Sequence, residues 1–201
     1  MKRDPKENAD ALRRIAADRA GYFTAGEALS AGYSYPQQHF HRERGNWTWV
    51  DHGLFRLPEY PATSYEDFVR WTLWTRSRRG VVRGIVSHDS ALAVHELCEI
   101  DPIAIHLTVP RNFRPRPPKG CRLHRGSVPA GDIEQRHGFR VTSPRRTLID
   151  AANSMLSPEI LETAVTTAID RGLITHQELG RAKLTISGRK RLDAVLAATS
   201  T

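Results

Sequence analysis

The stretch "GYSYPQQHFHRERGNWTWVDHGLFRL", residues 32–57, constrains the fold of this chain more than any other. Ser34 and Pro36 supply the cap and the first-turn residue of a helix, and Gly45 ends that helix. Alternating apolar residues then lie on both sides of "DHG", a turn sequence with a residue that tolerates positive φ. The stretch therefore predicts a short helix followed directly by a β-hairpin.

Two further helical patterns precede this stretch. Apolar residues recur at helical spacing within residues 8–19 and predict an amphipathic first helix. After a very short extended piece, "YFT", Thr24 and Glu27 have the spacing of a capping box and predict a second helix. Helix, helix, helix and hairpin within about fifty residues is the order of a winged helix-turn-helix. We therefore predict a DNA-binding domain over residues 1–60.

The third helix carries many polar side chains around a single phenylalanine, Phe40, which we take as the residue that faces the core. At 100° per residue, the side chains opposite Phe40 or flanking that direction are Tyr35, Gln38, His39, His41 and Arg42. In a winged helix this far side enters the DNA major groove, where Gln can pair with adenine and Arg with guanine. The pattern predicts a surface that reads DNA bases, and the alternative is an ordinary solvated helix face.

The hairpin is predicted to act as the wing of this domain. Its aromatic residues Trp47, Trp49 and Phe55 are expected to form a core rather than to stack on bases. Around the turn, three side chains are candidates for phosphate contacts, with ordinary surface positions as the equal alternative: Arg44, His52 and Arg56.

A strong positive charge points to a polyanionic or acidic partner. The formal net charge is +8 and the sequence pI is about 10.0. The first sixty residues are nearly balanced, so almost the whole excess lies in residues 111–146. The candidates there for contacts with DNA phosphates or with an acidic protein surface are Arg111, Arg114, Arg116, Lys119, Arg122 and Arg125. A solvated loop is the alternative.

The remainder, residues 61–201, reads as a second domain. A helix is predicted over residues 64–78, and "IAIHLTV" alternates strictly, as in a strand with one buried face. "CRLHR" and "FRVTS" predict two more strands, and helical segments follow from about residue 144. The fold class is therefore α+β: a winged helix-turn-helix followed by a small sheet with helices and a helical C-terminal part.

Several residue groups have the residue types of a catalytic or metal site, but their spacing does not match such a site. Ser87, His88 and Asp89 are neighbours at a helix start, so they project about 100° apart and cannot line up as a catalytic triad. The segment "HELCE" lacks the second histidine of a zinc-protease motif. Asp132 and Glu134 lack the pattern of a nuclease core. We predict no catalytic activity, no metal and no cofactor.

The environment is predicted to be the cytoplasm. No apolar run approaches the roughly 20 residues that span a bilayer, and "MKRDPKENAD" lacks the apolar segment of a secretion signal. Cys98 and Cys121 form no spaced pair and are expected to be reduced packing residues.

Taken together, these segments resemble the AbiEi family of bacterial antitoxins from type IV toxin–antitoxin systems, which act in phage defence. "FTAGEALSAGYS" and "GNWTWVDHGLFRLPEYP" are similar to the family's winged helix, and its second domain is matched by "SHDSALAVHEL", "IHLTVP", "CRLHRG" and "GFRVTSPRRTLIDAA". The resemblance implies that the winged helix binds inverted repeats in its own promoter. It also implies that the second domain neutralises a nucleotidyltransferase toxin.

Only the winged-helix positions carry over as probable DNA contacts, because the second-domain motifs have no known chemical role. Two alternatives stay open: a stand-alone transcriptional regulator without a toxin partner, and an atypical enzyme that modifies the toxin by phosphotransfer. The oligomeric state is also open, and one option is a monomer that pairs on double-stranded DNA.

Overall fold

The computed structural model describes residues 4–198, which form two compact units. The first extends to Gly84 and includes Arg136–Phe139; the second comprises Ile85–Gln135 and the chain from Arg140 onward. Residues 61–84 therefore pack with the first unit, although the functional boundary was predicted after residue 60. The prediction about a secretion signal rests in part on residues 1–3, which lie outside the described residues.

The first unit is a winged helix-turn-helix, as predicted, extended by one helix. Its elements are α1 Pro5–Ala17, β1 Tyr22–Thr24, α2 Ala25–Ser30, α3 Tyr35–Glu43, β2 Thr48–Asp51, β3 Leu54–Arg56 and α4 Glu66–Trp74. The strands form an antiparallel sheet in the order β1-β3-β2. The β2–β3 hairpin is the wing, and it follows the third helix directly.

Local capping fixes the starts of these helices. The Thr24 hydroxyl accepts from the Glu27 amide, and the Glu27 carboxylate accepts from the Thr24 amide, as the sequence predicted. At α3, the Gln37 side-chain oxygen accepts from the Ser34 amide at 2.8 Å. Gly32 lies between α2 and α3 with φ +103°, a conformation that suits glycine. The helix-turn-helix is thus specified largely by short-range contacts.

The core of the first unit is aromatic. Phe23 packs edge-to-face on Trp47, with ring centroids 4.9 Å apart, and stacks on Phe55 at 5.7 Å. Leu12 from α1 closes the same cluster. Trp49 was also expected in this core, but its side chain is 55% exposed.

The second unit combines a five-stranded sheet with helices. Its elements are β4 Ile85–Val86, α5 His88–Val94, β5 Ile105–Val109, β6 Cys121–Arg125, a 3-10 turn Ala130–Asp132, β7 Ile133–Arg136, β8 Phe139–Thr142, α6 Pro144–Asn153, α7 Pro158–Asp170, α8 His176–Gly180 and α9 Ile186–Ala198. The strand order is β6-β5-β4-β8-β7. β5 pairs in parallel with β6 and antiparallel with β4. The mixed α+β fold and the helical C-terminal part are confirmed.

The helices of the second unit enclose its apolar core. Leu148 of α6, Leu161 of α7, Leu179 of α8 and Leu192 of α9 are fully buried in one cluster with Leu92 of α5. Strand β5 differs from its prediction, because both of its faces are buried rather than one. Across the described residues, no helix has the length and apolar character needed to cross a membrane.

Candidate functional sites

Helix α3 is rotated relative to its predicted orientation. Gln38 is buried, with 3% of its surface exposed, and its side-chain amide donates to the carbonyls of Tyr33 at 3.0 Å and Ala25 at 3.1 Å. Phe40, predicted to face the core, is 52% exposed. The structure therefore contradicts Gln38 as a base-reading residue. Its amide is needed to satisfy two backbone carbonyls, and this outweighs the apolar character of Phe40.

The exposed surface of α3 keeps most of the other predicted residues. Tyr35, His39 and Arg42 are all exposed, and their spacing of four and three residues puts them on one side of the helix. Arg42 contacts the His39 ring nitrogen Nδ1 at 3.2 Å and pairs with Glu43 at 2.8 Å. We call Tyr35, His39 and Arg42 the α3 stripe.

Phe40 and Arg44 form a second exposed pair on the same helix. The Arg44 guanidinium carbon lies 5.4 Å from the Phe40 ring centroid, within the range of a cation–π contact. Arg44 was predicted as a phosphate contact, and it is exposed. Phe40 was predicted to face the core because a lone phenylalanine in a polar helix is usually buried, and the prediction is wrong.

Two other predicted DNA contacts have structural roles instead. The His41 ring stacks on the Trp47 ring with centroids 4.8 Å apart, and its Nδ1 is hydrogen-bonded to the Asn46 side chain. Burial lowers the pKa of His41. The Arg56 guanidinium donates to the carbonyls of Ala20, Tyr60 and Pro61 and pairs with Glu66, at 2.9 to 3.5 Å. Both side chains are therefore occupied within the fold. His52, at the tip of the wing, is exposed as expected.

The predicted basic segment lies in the second unit. Arg111, Arg114, Arg116 and Lys119 are exposed in the loop between β5 and β6, and Arg122 and Arg125 are exposed on β6 itself. The Nε of Arg125 donates to the Phe113 carbonyl at 3.4 Å. The structure leaves these charges available to a partner and does not identify that partner.

Three second-domain motifs converge on a polar cluster that the sequence did not predict. The register of β5 and β6 pairs His106 with Arg122 and Thr108 with His124, so these four side chains share one face of the two strands. The start of α5 packs on that face. The resulting set, called here the histidine cluster, consists of Ser87, His88, Asp89, His106, Thr108 and His124.

Contacts within the histidine cluster are close. The rings of His88 and His124 stack with centroids 3.5 Å apart and an interplanar angle of 11°, and the His106 ring lies 5.1 Å from His124. Ser87 Oγ accepts from the Thr108 hydroxyl at 2.8 Å and lies 2.9 Å from His88 Nδ1. His88 has φ +54°, an uncommon backbone conformation for a residue with a Cβ.

Burial keeps the three imidazoles neutral. It lowers the pKa of His88 to about 3, and the nearby His124, His106, Arg146 and Arg122 lower it further. Burial likewise lowers the pKa of His124 to about 4. The pKa of His106 is also lowered by burial, although the Asp89 carboxylate, 3.9 Å away, opposes the change.

The other chemical candidates have ordinary roles. His95, from "HELCE", is buried and lies 2.7 Å from the Thr142 carbonyl. Cys98 and Cys121 are free thiols, and burial raises the pKa of Cys121 to about 11. Within residues 4–198, no group of three or more His, Cys, Asp and Glu side chains has an arrangement that could hold a metal ion.

The fold defines a class: a winged helix-turn-helix protein with a mixed second unit. The crystal structure of the RV2827C protein from Mycobacterium tuberculosis is similar, with a TM-score of 0.59 and 17% sequence identity over 99% of this chain and 79% of that one. A family model described as the AbiEi antitoxin C-terminal domain matches residues 74–197. The chain belongs to the AbiEi antitoxin family, which implies a toxin partner. No curated protein matches it.

Proposed function

We propose that this antitoxin neutralises a nucleotidyltransferase toxin in the cytoplasm and represses its own operon by binding double-stranded promoter DNA. Membership of the AbiEi family supports the antitoxin role. The exposed α3 stripe supports DNA binding, because it sits on the helix that enters the major groove in winged helix-turn-helix proteins. That stripe is the observation on which the DNA-binding part of the proposal depends.

The proposed reading surface has a definite chemistry. Arg42 can donate two hydrogen bonds to a guanine, once it exchanges its contact with Glu43 for the base. Tyr35 and Phe40 offer apolar surface to thymine methyl groups. Arg44 and the wing residue His52 would then contact phosphates, which position the helix without reading sequence.

Binding by one winged helix should be weak, because the first sixty residues carry little net charge. Inverted repeats offer two half-sites, so two chains pairing on the DNA would add their contacts. The basic segment of the second unit can contribute phosphate contacts or can hold an acidic surface of the toxin.

The DNA-binding proposal is tested by titrating the full chain with its promoter DNA. Arg42→Ala should weaken binding about tenfold or more and relax base preference at one position in each half-site, because it removes a two-bond contact with a base. Arg14→Ala, which removes an exposed charge from α1, is the matched control and should change affinity much less. Equal promoter affinities for the two variants would show that α3 is not the helix that reads the bases.

The toxin-neutralising proposal is tested by co-expressing the full chain with a nucleotidyltransferase toxin from its own genome. Growth should recover when the full chain is present, and charge reversal at Arg114 and Arg116 should weaken recovery if the basic segment holds the toxin. Absence of recovery with the unaltered chain would favour a stand-alone regulator. Transfer of labelled phosphate from a nucleotide to the toxin would instead favour the enzymatic alternative.

A further inference from the structure

We propose that the histidine cluster is a binding site for the free phosphoryl group of inorganic phosphate or of a small phosphate monoester. His106, His124 and Arg122, which share one face of β5 and β6, would contact its oxygens. This site is separate from the α3 stripe and does not depend on DNA binding or on toxin neutralisation.

Unpartnered buried nitrogens are the first argument. The His106 side chain is 8% exposed, and its Nδ1 is buried without a hydrogen-bond partner. The Nε2 of His124 is also buried without one. Each such atom costs about 1–3 kcal/mol unless something satisfies it, and most buried polar groups in proteins are satisfied. Two on adjacent strands indicate a bound group that supplies hydrogen-bonding atoms.

The surrounding charge is the second argument, and it selects an anion. Arg122 lies opposite His106 in the strand register, and both Arg122 and Arg146 are close enough to His88 to lower its pKa. Arg146 is held by Asp150 at 2.9 Å. The acidic group facing the rings is Asp89, whose Oδ2 lies 3.9 Å from His106 Nδ1, so one carboxylate stands against two guanidinium groups. A guanidinium group can donate two parallel hydrogen bonds to the oxygens of one phosphate, and its positive charge repels cations.

Ring geometry is the third argument, since it disfavours a metal ion shared by His88 and His124, and no group of His, Cys, Asp and Glu side chains within residues 4–198 is arranged to hold one. A metal ion lies about 2.0–2.1 Å from a histidine nitrogen, in the plane of the ring. The planes of His88 and His124 are nearly parallel and stacked at 3.5 Å. An ion in the plane of one ring would therefore lie well out of the plane of the other. An oxyanion, which has several oxygens at different positions, does not require the two nitrogens to converge.

The depth of the unpartnered ring nitrogens favours a small ligand over a nucleic-acid backbone. The unpartnered nitrogens are buried under α5 and neighbouring side chains, whereas the exposed arginines of the basic segment lie at the surface. A phosphodiester in a duplex is flanked by its neighbours on both sides and cannot reach nitrogens buried to this depth, whereas a terminal phosphoryl group, with three free oxygens, is small enough to approach them.

The test observes the imidazole nitrogens directly in the full chain. With ¹⁵N-labelled histidine, addition of inorganic phosphate at constant ionic strength should shift the ring nitrogens of His106 and His124. The same shifts should follow addition of adenosine monophosphate.

Matched variants separate this site from general charge. Arg122→Ala should weaken phosphate binding about tenfold or more, as expected for loss of a charged hydrogen bond. Arg114→Ala removes the same charge from the exposed loop and should change affinity less than about twofold. His124→Gln should also weaken binding, and circular dichroism checks that each variant is folded.

Four outcomes would overturn the proposal. They are an absence of ring-nitrogen shifts with phosphate, shifts reproduced by sodium chloride alone, shifts caused by zinc chloride but not by phosphate, and displacement of phosphate by a blunt duplex without terminal phosphates. The third would establish a cation site, and the fourth a contact with the DNA backbone.

Discussion

Gln38 of α3 and His106 of β5 are both polar and buried, yet their surroundings differ. The Gln38 amide donates to two backbone carbonyls, so its burial stabilises the helix-turn-helix. The Nδ1 of His106 has no hydrogen-bond partner and faces a carboxylate beyond hydrogen-bond distance. Burial alone therefore does not tell a structural polar residue from part of a binding site. The presence or absence of hydrogen-bond partners does.

Acidification should have the largest effect on the free energy of unfolding, and it acts through the imidazoles of the histidine cluster. The imidazoles of His88 and His124 have pKa values of about 3 and about 4 in the folded chain, against 6.5 when unfolded. Their contribution to stability is therefore fully present above about pH 6.5 and is lost as pH falls toward 4. Between pH 6.5 and 4.5 the lowered pKa of His88 alone should cost about 2 kcal/mol, and His124, which is less deeply buried, should add to that loss.

Chemical denaturation at several pH values measures this effect. His124→Gln should flatten the dependence of unfolding free energy on pH, because it removes one buried imidazole. His39→Gln, which changes an exposed histidine of α3, is the matched control. If both variants followed the unaltered chain, the histidine cluster would not be the group that titrates.

Replacement of Gln38 should have the next largest effect, on stability rather than on base reading. Gln38→Ala leaves the Ala25 and Tyr33 carbonyls without this donor and should cost about 1–3 kcal/mol of unfolding free energy. The exposed neighbour His39 offers the control, since His39→Ala should change stability by less than about 0.5 kcal/mol. A stable Gln38→Ala variant with altered base preference would restore the residue to the reading surface.

Arg56 and Arg44 extend the comparison to two arginines of the first unit. Arg56→Ala should destabilise the unit by about 1–2 kcal/mol, because three carbonyls lose a donor, and should leave the salt dependence of DNA binding unchanged. Arg44→Ala should leave stability nearly unchanged and make the slope of log affinity against log salt shallower by about one unit. The reverse pattern would show that the two roles have been exchanged.

Phe40→Ala should have the smallest effect. The ring is half exposed, so its removal should change unfolding free energy by less than about 0.5 kcal/mol. Promoter affinity should fall about fivefold if the ring contacts a thymine methyl group. A large loss of stability would instead return Phe40 to the core.

Local signals in the sequence predicted much of the first unit. The capping pairs at Thr24 and Ser34 and the turn at Gly53 are short-range features, and each appears in the structure. The rotation of α3 could not be read in the same way. It depends on carbonyls that Gln38 meets only after α2 and α3 have packed, and hydrophobicity does not report such a bond.

The histidine cluster depends on contacts that are more distant still. His88, His106 and His124 come from three elements, and only the parallel register of β5 and β6 places the last two on one face. Alternation along β5 was visible in the sequence. The alternation did not indicate that α5 would cover the polar face of β5. Side chains that were expected to face solvent are therefore buried.

The parallel pairing of β5 and β6 determines which side chains of the two strands lie side by side, and it does so independently of the proline-rich loop that connects them. A slip of one residue would put Leu123 or Arg125 opposite Thr108, so every side chain of β6 would exchange faces. Packing of Leu107 and Cys121 on the opposite face holds the strands against such a slip. Changes in the length of the proline-rich connection should therefore leave the register of the two strands, and with it the histidine cluster, unaltered.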